Sequence, residues 1–318
     1  MSLGQKIGQL LIFGIEGTTT DARAAYLIKD KGIGGLNLLK RNVQNSGQVK
    51  KLTSDLQQIS RIPLFIAADQ EGGDVVRFKF LKELTPESRM TSVAQAKAVG
   101  FARAKELANL GVNMIFSPVL DHVTDPNAYL YSRTFESDPG TTGKLGLALI
   151  QGYYQGGILP VAKHFPGYGN ISPDPHKNVA ILDIGKKEFQ DDLIPFAMVA
   201  KDSSTVGMMT AHIIIPEISE LPATYSSDVL DILRKDMGFQ GLVITDDLEM
   251  VSAGSSTAEV AVRAIKAGAD MLIDTYTPAR QDQIMNALAE AVAKGDISEE
   301  RIDRSVTRIL KAKSLLGT

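Results

Sequence analysis

The chain has 318 residues, 44% hydrophobic and 22% charged, with 34 basic against 37 acidic side chains and a formal net charge of −3. Domains run to ~100–200 residues, so this length holds one large domain or two ordinary ones, with core enough to fold without staples. The near balance of charge gives no pull toward nucleic acid or an anionic membrane, and the absence of Cys excludes disulfides, cysteine-ligated zinc, iron–sulfur clusters and a thiol nucleophile.

Trp is also absent, so a sugar-stacking platform would fall to Tyr, Phe or His. The N-terminus, MSLGQKIGQLLIFGIEG, places no basic stretch ahead of its short apolar run, and Gly14 interrupts that run. It does not read as a signal peptide, and no window nears the ~18–20 apolar residues that span a bilayer. The expectation is a soluble cytoplasmic protein.

In chain order, predicted strands are IGQLLIFGI (7–15), GGLNLL (34–39), LFIAAD (64–69) and VNMIFSPV (112–119). They continue with LPVAKHF (159–165), TVGMMTA (205–211), GLVIT (241–245) and DMLID (270–274). Between them apolar residues recur at helical spacing, for example over Val49–Ser60, Ala94–Leu110, Thr141–Gln155 and Ala258–Ala267. Strands that are apolar throughout are buried on both faces, as in a parallel sheet covered by helices. Eight such units with no linker between them match an α/β (β/α)8 (TIM) barrel forming a single domain over residues 1–318, the last helix, Glu299–Leu316, closing the ring. A doubly wound sheet is the rival, and no G-x-G-x-x-G follows the first strand to support it.

In such a barrel the chemistry sits at the C-terminal strand ends and the loops after them. All four histidines map there: His122, His164, His176 and His212. So do Asp69, Asp121, Asp246, Asp247 and Asp274, with Arg77, Arg133 and Lys163. A plain strand-end Asp caps a helix or forms a turn, which suits Asp247 best. It suits Asp69 less, because QEGG follows and a glycine pair permits close backbone approach. Lys163 lies in a strand expected to be buried, where an unpaired ammonium is costly. The loop KHFPGYGNISPDPHKN (163–178) concentrates Lys, His, Asp, Pro and Gly. Within it Asp174 and His176 read either as a carboxylate–imidazole acid/base dyad or as an Asx-turn beside an exposed His. Three chemistries remain open on these residues. They are a strand-end Asp nucleophile with a His acid/base, a Schiff-base aldolase using Lys163, and a metallohydrolase using the histidines with Asp246. The last lacks any H-x-H or H-E-x-x-H spacing.

Several segments together resemble glycoside hydrolase family 3, in particular its single-domain bacterial β-N-acetylglucosaminidases. AADQEGGDVVRF (67–78) resembles the family's D-Q-E-G-G-x-V-x-R, SPVLD (117–121) its F-x-P-V-x-D strand, and SRTF (132–135) its R-S/T-F turn. KHFPGYGNISPDPH (163–176) resembles K-H-F-P-G-H-G-x-x-x-x-D-S-H, and ITDDLEM (244–250) resembles S-D-D-L-x-M. The resemblance implies a (β/α)8 barrel and a retaining mechanism through a covalent glycosyl-enzyme. Asp246 then matches the nucleophile, His176 the acid/base and Asp174 its partner. Asp69, Arg77, Arg133, Lys163 and His164 match the residues that hold the terminal sugar, and Asp121, His212 and Tyr168 are further subsite candidates. Three positions depart from the pattern: Tyr168 for His, Pro175 for Ser or Thr, and Asp74 for Arg.

What the resemblance implies is an exo-acting enzyme that releases GlcNAc from short glycans, muropeptide fragments of peptidoglycan recycling among them. It implies no cofactor and no metal, a small glycan as the partner, no nucleic acid or membrane, and a monomer. A phosphorylase of the same family is the runner-up, and a non-catalytic sugar-binding barrel the alternative of another class.

Overall fold

The computed structural model describes residues 1–171, 180–251 and 256–316. Eight strands form the barrel: β1 (Leu11–Phe13), β2 (Gly35–Leu38), β3 (Phe65–Ala68), β4 (Met114–Val119), β5 (Leu159–Phe165), β6 (Gly207–Thr210), β7 (Leu242–Asp247) and β8 (Met271–Asp274). Every neighbouring pair is parallel, and β8 pairs with β1 to close the ring. The expected barrel is therefore present, with each predicted apolar run supplying one strand. The first run is shorter as a strand than its apolar pattern, because Ile7–Gln9 belong to the helix Leu3–Gln9 capped by Ser2. No helix among the described residues is long and apolar enough to cross a membrane.

Helix starts follow local chemistry. Asn45, Ser92, Asp138, Ser256 and Ser298 each accept a hydrogen bond from the backbone N–H three residues on, satisfying a donor that the helix itself leaves orphaned. The helices so begun are Ser46–Gln58, Val93–Ala108, Pro139–Gln155, Thr257–Ala267 and Glu299–Lys313. Helix Lys186–Ala200 lies on the outside of β5, where Phe196 meets Phe165 edge-on with ring centroids 5.5 Å apart.

The expectation for the last helix needs correction. The helix after β8 is Pro278–Ala293, and Glu299–Lys313 runs beneath the N-terminal mouth of the barrel. Its middle holds Asp270, at the entry to β8, through Ser305 (2.7 Å) and Arg308 (3.2 Å). At its far end Lys313 reaches Gln9 (2.7 Å) and lies 5.1 Å from the ring centroid of Phe65, at the entry to β3. A final helix that reads as one more amphipathic segment in sequence thus serves as a plug.

Regular pairing breaks where the strands leave the barrel at the C-terminal side. Phe116 and Ser117 both face Val161, and the register jumps between Ala162 and Phe165 on β5 and opposite Asp247 on β7. Such irregularities re-aim side chains. They let neighbours such as Lys163 and His164, or Asp246 and Asp247, line one cavity, where a regular strand would turn adjacent residues to opposite faces.

Candidate active site

A cavity of about 500 Å³ opens at the C-terminal mouth of the barrel. Its wall includes Asp69, Arg77, Arg133, Lys163, His164, Tyr168 and Asp246, all singled out in the sequence. Asp174 and His176 lie outside the described residues, as does Pro175. The downstream end of their loop is held by a two-stranded parallel pairing of Ala180–Ile181 with Ile213–Ile214.

The floor is a charged network. Lys163, 2% exposed, sits 2.8 Å from Asp69 and 2.5 Å from Glu71. Arg77 meets the other oxygen of Asp69 at 3.1 Å. Arg133 grips Glu71 with two parallel bonds of 2.9 and 2.8 Å, the fork geometry that suits a guanidinium to a carboxylate. Burial pushes both carboxyls up, but Lys163 and Arg77 hold Asp69 well below the usual range, while Arg133 and Lys163 hold Glu71 at about 2. Burial likewise pulls Lys163 down, yet Asp69 and Glu71 raise it. An ammonium held between two carboxylates is a poor amine nucleophile, which counts against the Schiff-base reading.

Glu71, inside the DQEGG motif, is a site residue that its sequence position does not mark. The signal was available: a Lys in a buried strand needs anions nearby, and Glu71 is two residues from Asp69. The turn after it requires its glycines. Gly72 and Gly73 have φ of +90° and +57°, and a Cβ on Gly72 would stand 2.4 Å from the Thr85 carbonyl oxygen. Arg103, fully buried, donates to the Glu71 carbonyl (2.9 Å) and to the Tyr153 hydroxyl (2.8 Å), fixing the turn from behind.

Asp121 and His212, expected as subsite candidates, stand behind the wall. Asp121 is fully buried, and its Oδ2 accepts from the His164 backbone N–H (2.9 Å) and faces His164 Nδ1 (2.8 Å). Its Oδ1 accepts from the Tyr168 N–H (2.8 Å). The bond of Nδ1 to Asp121 fixes the orientation of the His164 ring, which lines the cavity. His212 is 1% exposed between Thr224 and the Asp247 carbonyl, and its backbone N–H donates to the Tyr168 hydroxyl (2.9 Å). Tyr168, the departure from the family's His, is thus pinned at both ends and packs its ring edgewise against His164, centroids 5.3 Å apart. His122 leaves the cavity altogether and pairs with Asp192 at 3.1 Å.

On the opposite wall Asp246 accepts from the Asp247 backbone N–H (2.8 Å). Asp247 itself is engaged by the Thr275 hydroxyl and accepts from the Glu249 N–H (3.1 Å), the capping role expected of it. Burial and the charge of Asp246 push the Asp247 carboxyl up to about 7 despite the Thr275 bond. Both carboxyls line the cavity, Asp247 with an oxygen tied to the Thr275 hydroxyl. Among the described residues no group of three or more His, Asp or Glu side chains is arranged to hold a metal ion. The cavity also takes in Asn37, Thr275 and Tyr276, which the sequence did not mark.

Comparisons with known proteins agree with this geometry. Residues 2–312 match the model of the glycosyl hydrolase family 3 N-terminal domain. A beta-hexosaminidase of Nitrosomonas eutropha is 34% identical, the match covering 87% of this chain and 84% of that protein. Beta-hexosaminidase A of Pseudoalteromonas piscicida is 32% identical over 94% of this chain, which spans 56% of its length. Among solved structures, a family 3 beta-N-acetylglucosaminidase from a Paenibacillus species superposes with a TM-score of 0.96 at 33% identity, covering all of this chain and 64% of that one. A beta-N-acetylhexosaminidase from Beutenbergia cavernae gives 0.90 at 27% identity, with 99% of each chain covered. With the barrel, the charged floor and the strand-end Asp246 in place, the chain belongs to glycosyl hydrolase family 3.

Proposed function

We propose that this protein is a retaining exo-β-N-acetylglucosaminidase that uses Asp246 as nucleophile, and His176 with Asp174 as acid/base. The carrying observation is the division of the cavity: Lys163, Arg77, Arg133 and Asp69, backed by Glu71, on the β3–β5 side, and on β7 the pair Asp246 and Asp247, of which Asp247 is tied to the Thr275 hydroxyl. A ring seated on Lys163, Arg133, Arg77 and Asp69 makes charge-assisted hydrogen bonds through its hydroxyls and brings its anomeric carbon toward Asp246. In the first step an Asp246 oxygen forms a bond to that carbon, the glycosidic C–O bond breaks, and His176 gives its proton to the departing oxygen. In the second, His176 takes a proton from water, the water oxygen attacks the same carbon and Asp246 departs, so configuration is retained. The names of the relatives support the hexosaminidase activity. The motif resemblance supports short glycans, peptidoglycan-derived muropeptides among them, as substrates.

Asp246→Asn tests the nucleophile. It keeps the volume and removes the nucleophilic oxygen, so turnover should vanish with folding unchanged. A fluorinated glycosyl trap should label Asp246, and a label mapped to Asp247 would overturn the assignment. His176→Ala should lose roughly 10²–10⁴-fold on poor leaving groups and far less in the glycosylation step with an activated aryl aglycone. Free GlcNAc as the product in phosphate buffer supports hydrolysis, whereas GlcNAc-1-phosphate with a large rate gain would move the reading to the phosphorylase.

A further inference from the structure

Two residues beyond the end of β8 stands an aromatic ring that the charged floor does not use. Tyr276 is 54% exposed yet lines the cavity. One face of its ring is covered by Arg41, whose guanidinium carbon lies 4.7 Å from the ring centroid. Arg41 follows β2 and is itself tied down. It donates to the Ile15 carbonyl (3.0 Å) and to the Thr275 carbonyl, and pairs with Glu16 (3.2 Å). The guanidinium is therefore held through Nε and Nη2, and its face backs the ring.

We propose that Tyr276, backed by Arg41, is the platform for the second sugar ring of the substrate, the pyranose on the leaving-group side of the cleaved bond. This rests on the glycosidase reading above and extends it to the aglycone. The cavity has two chemically unlike parts. Its charged floor matches the hydroxyls of one ring. Leu39, Val75, Met250 and Tyr276 also line the cavity, side chains that offer few hydrogen bonds to a second ring but do offer apolar surface. A pyranose presents a face of C–H groups, and an aromatic face with its negative quadrupole attracts such a face. The ring is also placed to meet it. The hydroxyl of Thr275, next in the chain, donates to Asp247, the neighbour of Asp246, and Tyr276 and Asp246 line the same cavity. Because Arg41 holds the ring in place before substrate arrives, little ordering entropy opposes stacking. The chain contains no Trp, and Tyr276 is the large half-exposed aromatic on this wall.

The test compares N,N′-diacetylchitobiose, which has a second ring, with methyl β-N-acetylglucosaminide, which has none. For Tyr276→Ala the ratio of kcat/KM, disaccharide over methyl glycoside, should fall about tenfold from the wild-type ratio. Tyr276→Phe should keep the wild-type ratio, since it retains the face and removes only the hydroxyl. The ratio is independent of how much of each variant folds. A Tyr276→Ala ratio within twofold of wild type, or a Phe variant as impaired as Ala, overturns the platform and leaves the glycosidase reading standing. Failure of the wild type to release GlcNAc from either compound overturns the glycosidase reading and the platform with it.

Discussion

Replacing Glu71 by Gln removes one negative charge from a buried cluster in which Asp69 and Glu71 together face Arg77, Arg133 and Lys163. The side chain keeps its size, so the effect is electrostatic. Taking one partner from a buried ion pair typically costs ~3–5 kcal/mol. A second route gives a similar figure: Glu71 is held from 4.5 down to about 2 against the pull of burial, worth roughly 3 kcal/mol at ~1.36 kcal/mol per pH unit. At about 2–4 °C per kcal/mol for a chain of this size, Tm at pH 7 should fall by roughly 6–12 °C. Activity should suffer more than folding, because the amide keeps one acceptor oxygen but replaces the other with an NH2, so the two-bond fork with Arg133 and the ion pair with Lys163 are lost. Losing one charge-assisted contact of ~1.5–3 kcal/mol lowers kcat/KM roughly 10–150-fold. Circular-dichroism melts between pH 7 and pH 2.5, with GlcNAc release at pH 7, measure both. The folded pKa of Glu71 lies below its unfolded value, so its stabilisation is complete above pH 4.5 and is lost as pH falls toward 2. The gap in Tm between wild type and variant must therefore narrow over that interval. Equal melting temperatures at pH 7, or a gap that does not change with pH, would refute the reasoning.

Glu87, buried 1% exposed below the site, is pushed up to about 8 by burial and by Glu71, so its stabilising neutral form is lost as pH rises from 4.5 through 8. Glu87→Gln should melt close to wild type at pH 5 and above it at pH 8.5, and a difference independent of pH would count against this. Burial lowers Lys313 to about 7, so between pH 7 and 10.5 the unfolded chain holds a proton that the folded one does not. Lys313→Met should then raise Tm at pH 7, with a gain that shrinks toward pH 10.5; a constant or growing gain would contradict the assignment. Asp121→Asn leaves one acceptor oxygen where the His164 and Tyr168 amides used two, misaligns the imidazole, and should lower kcat/KM at least about tenfold. Unchanged kinetics would show that His164 needs no such support.

The fold was legible because its signals are local. Each apolar run of Val, Ile and Leu became a strand, and LPVAKHF became β5 over the residues it was assigned. Helix entries were written in single capping residues such as Ser92 and Asp138. The strand-end rule then placed Asp69, Lys163, His164 and Asp246 at one mouth before any coordinate was known. Where this reading slipped, the deciding contact was distant in sequence. Glu71 matters through Arg133 and Lys163, 62 and 92 positions away, and nothing in QEGG states that pairing. His212 and Asp121 share the rim with true lining residues, and only packing turns them inward, against Thr224 and His164.

What the sequence by itself determined is the barrel, its direction and which end carries the chemistry, since strand period, capping and strand-end polarity are properties of neighbouring residues. The tertiary structure decided which side chain faces the cavity. Breaks in strand register aim the adjacent Lys163 and His164 into one space, against the alternation their spacing implies. It also decided the charge states, because burial opposes the ionised forms of Asp69 and Glu71, and Arg77 with Arg133 and Lys163 from distant segments converge on them. And it turned Glu299–Lys313 from one more surface helix into the plug of the barrel, because the anchors that seat it, Asp270, Gln9 and Phe65, are brought beneath it by the closed ring.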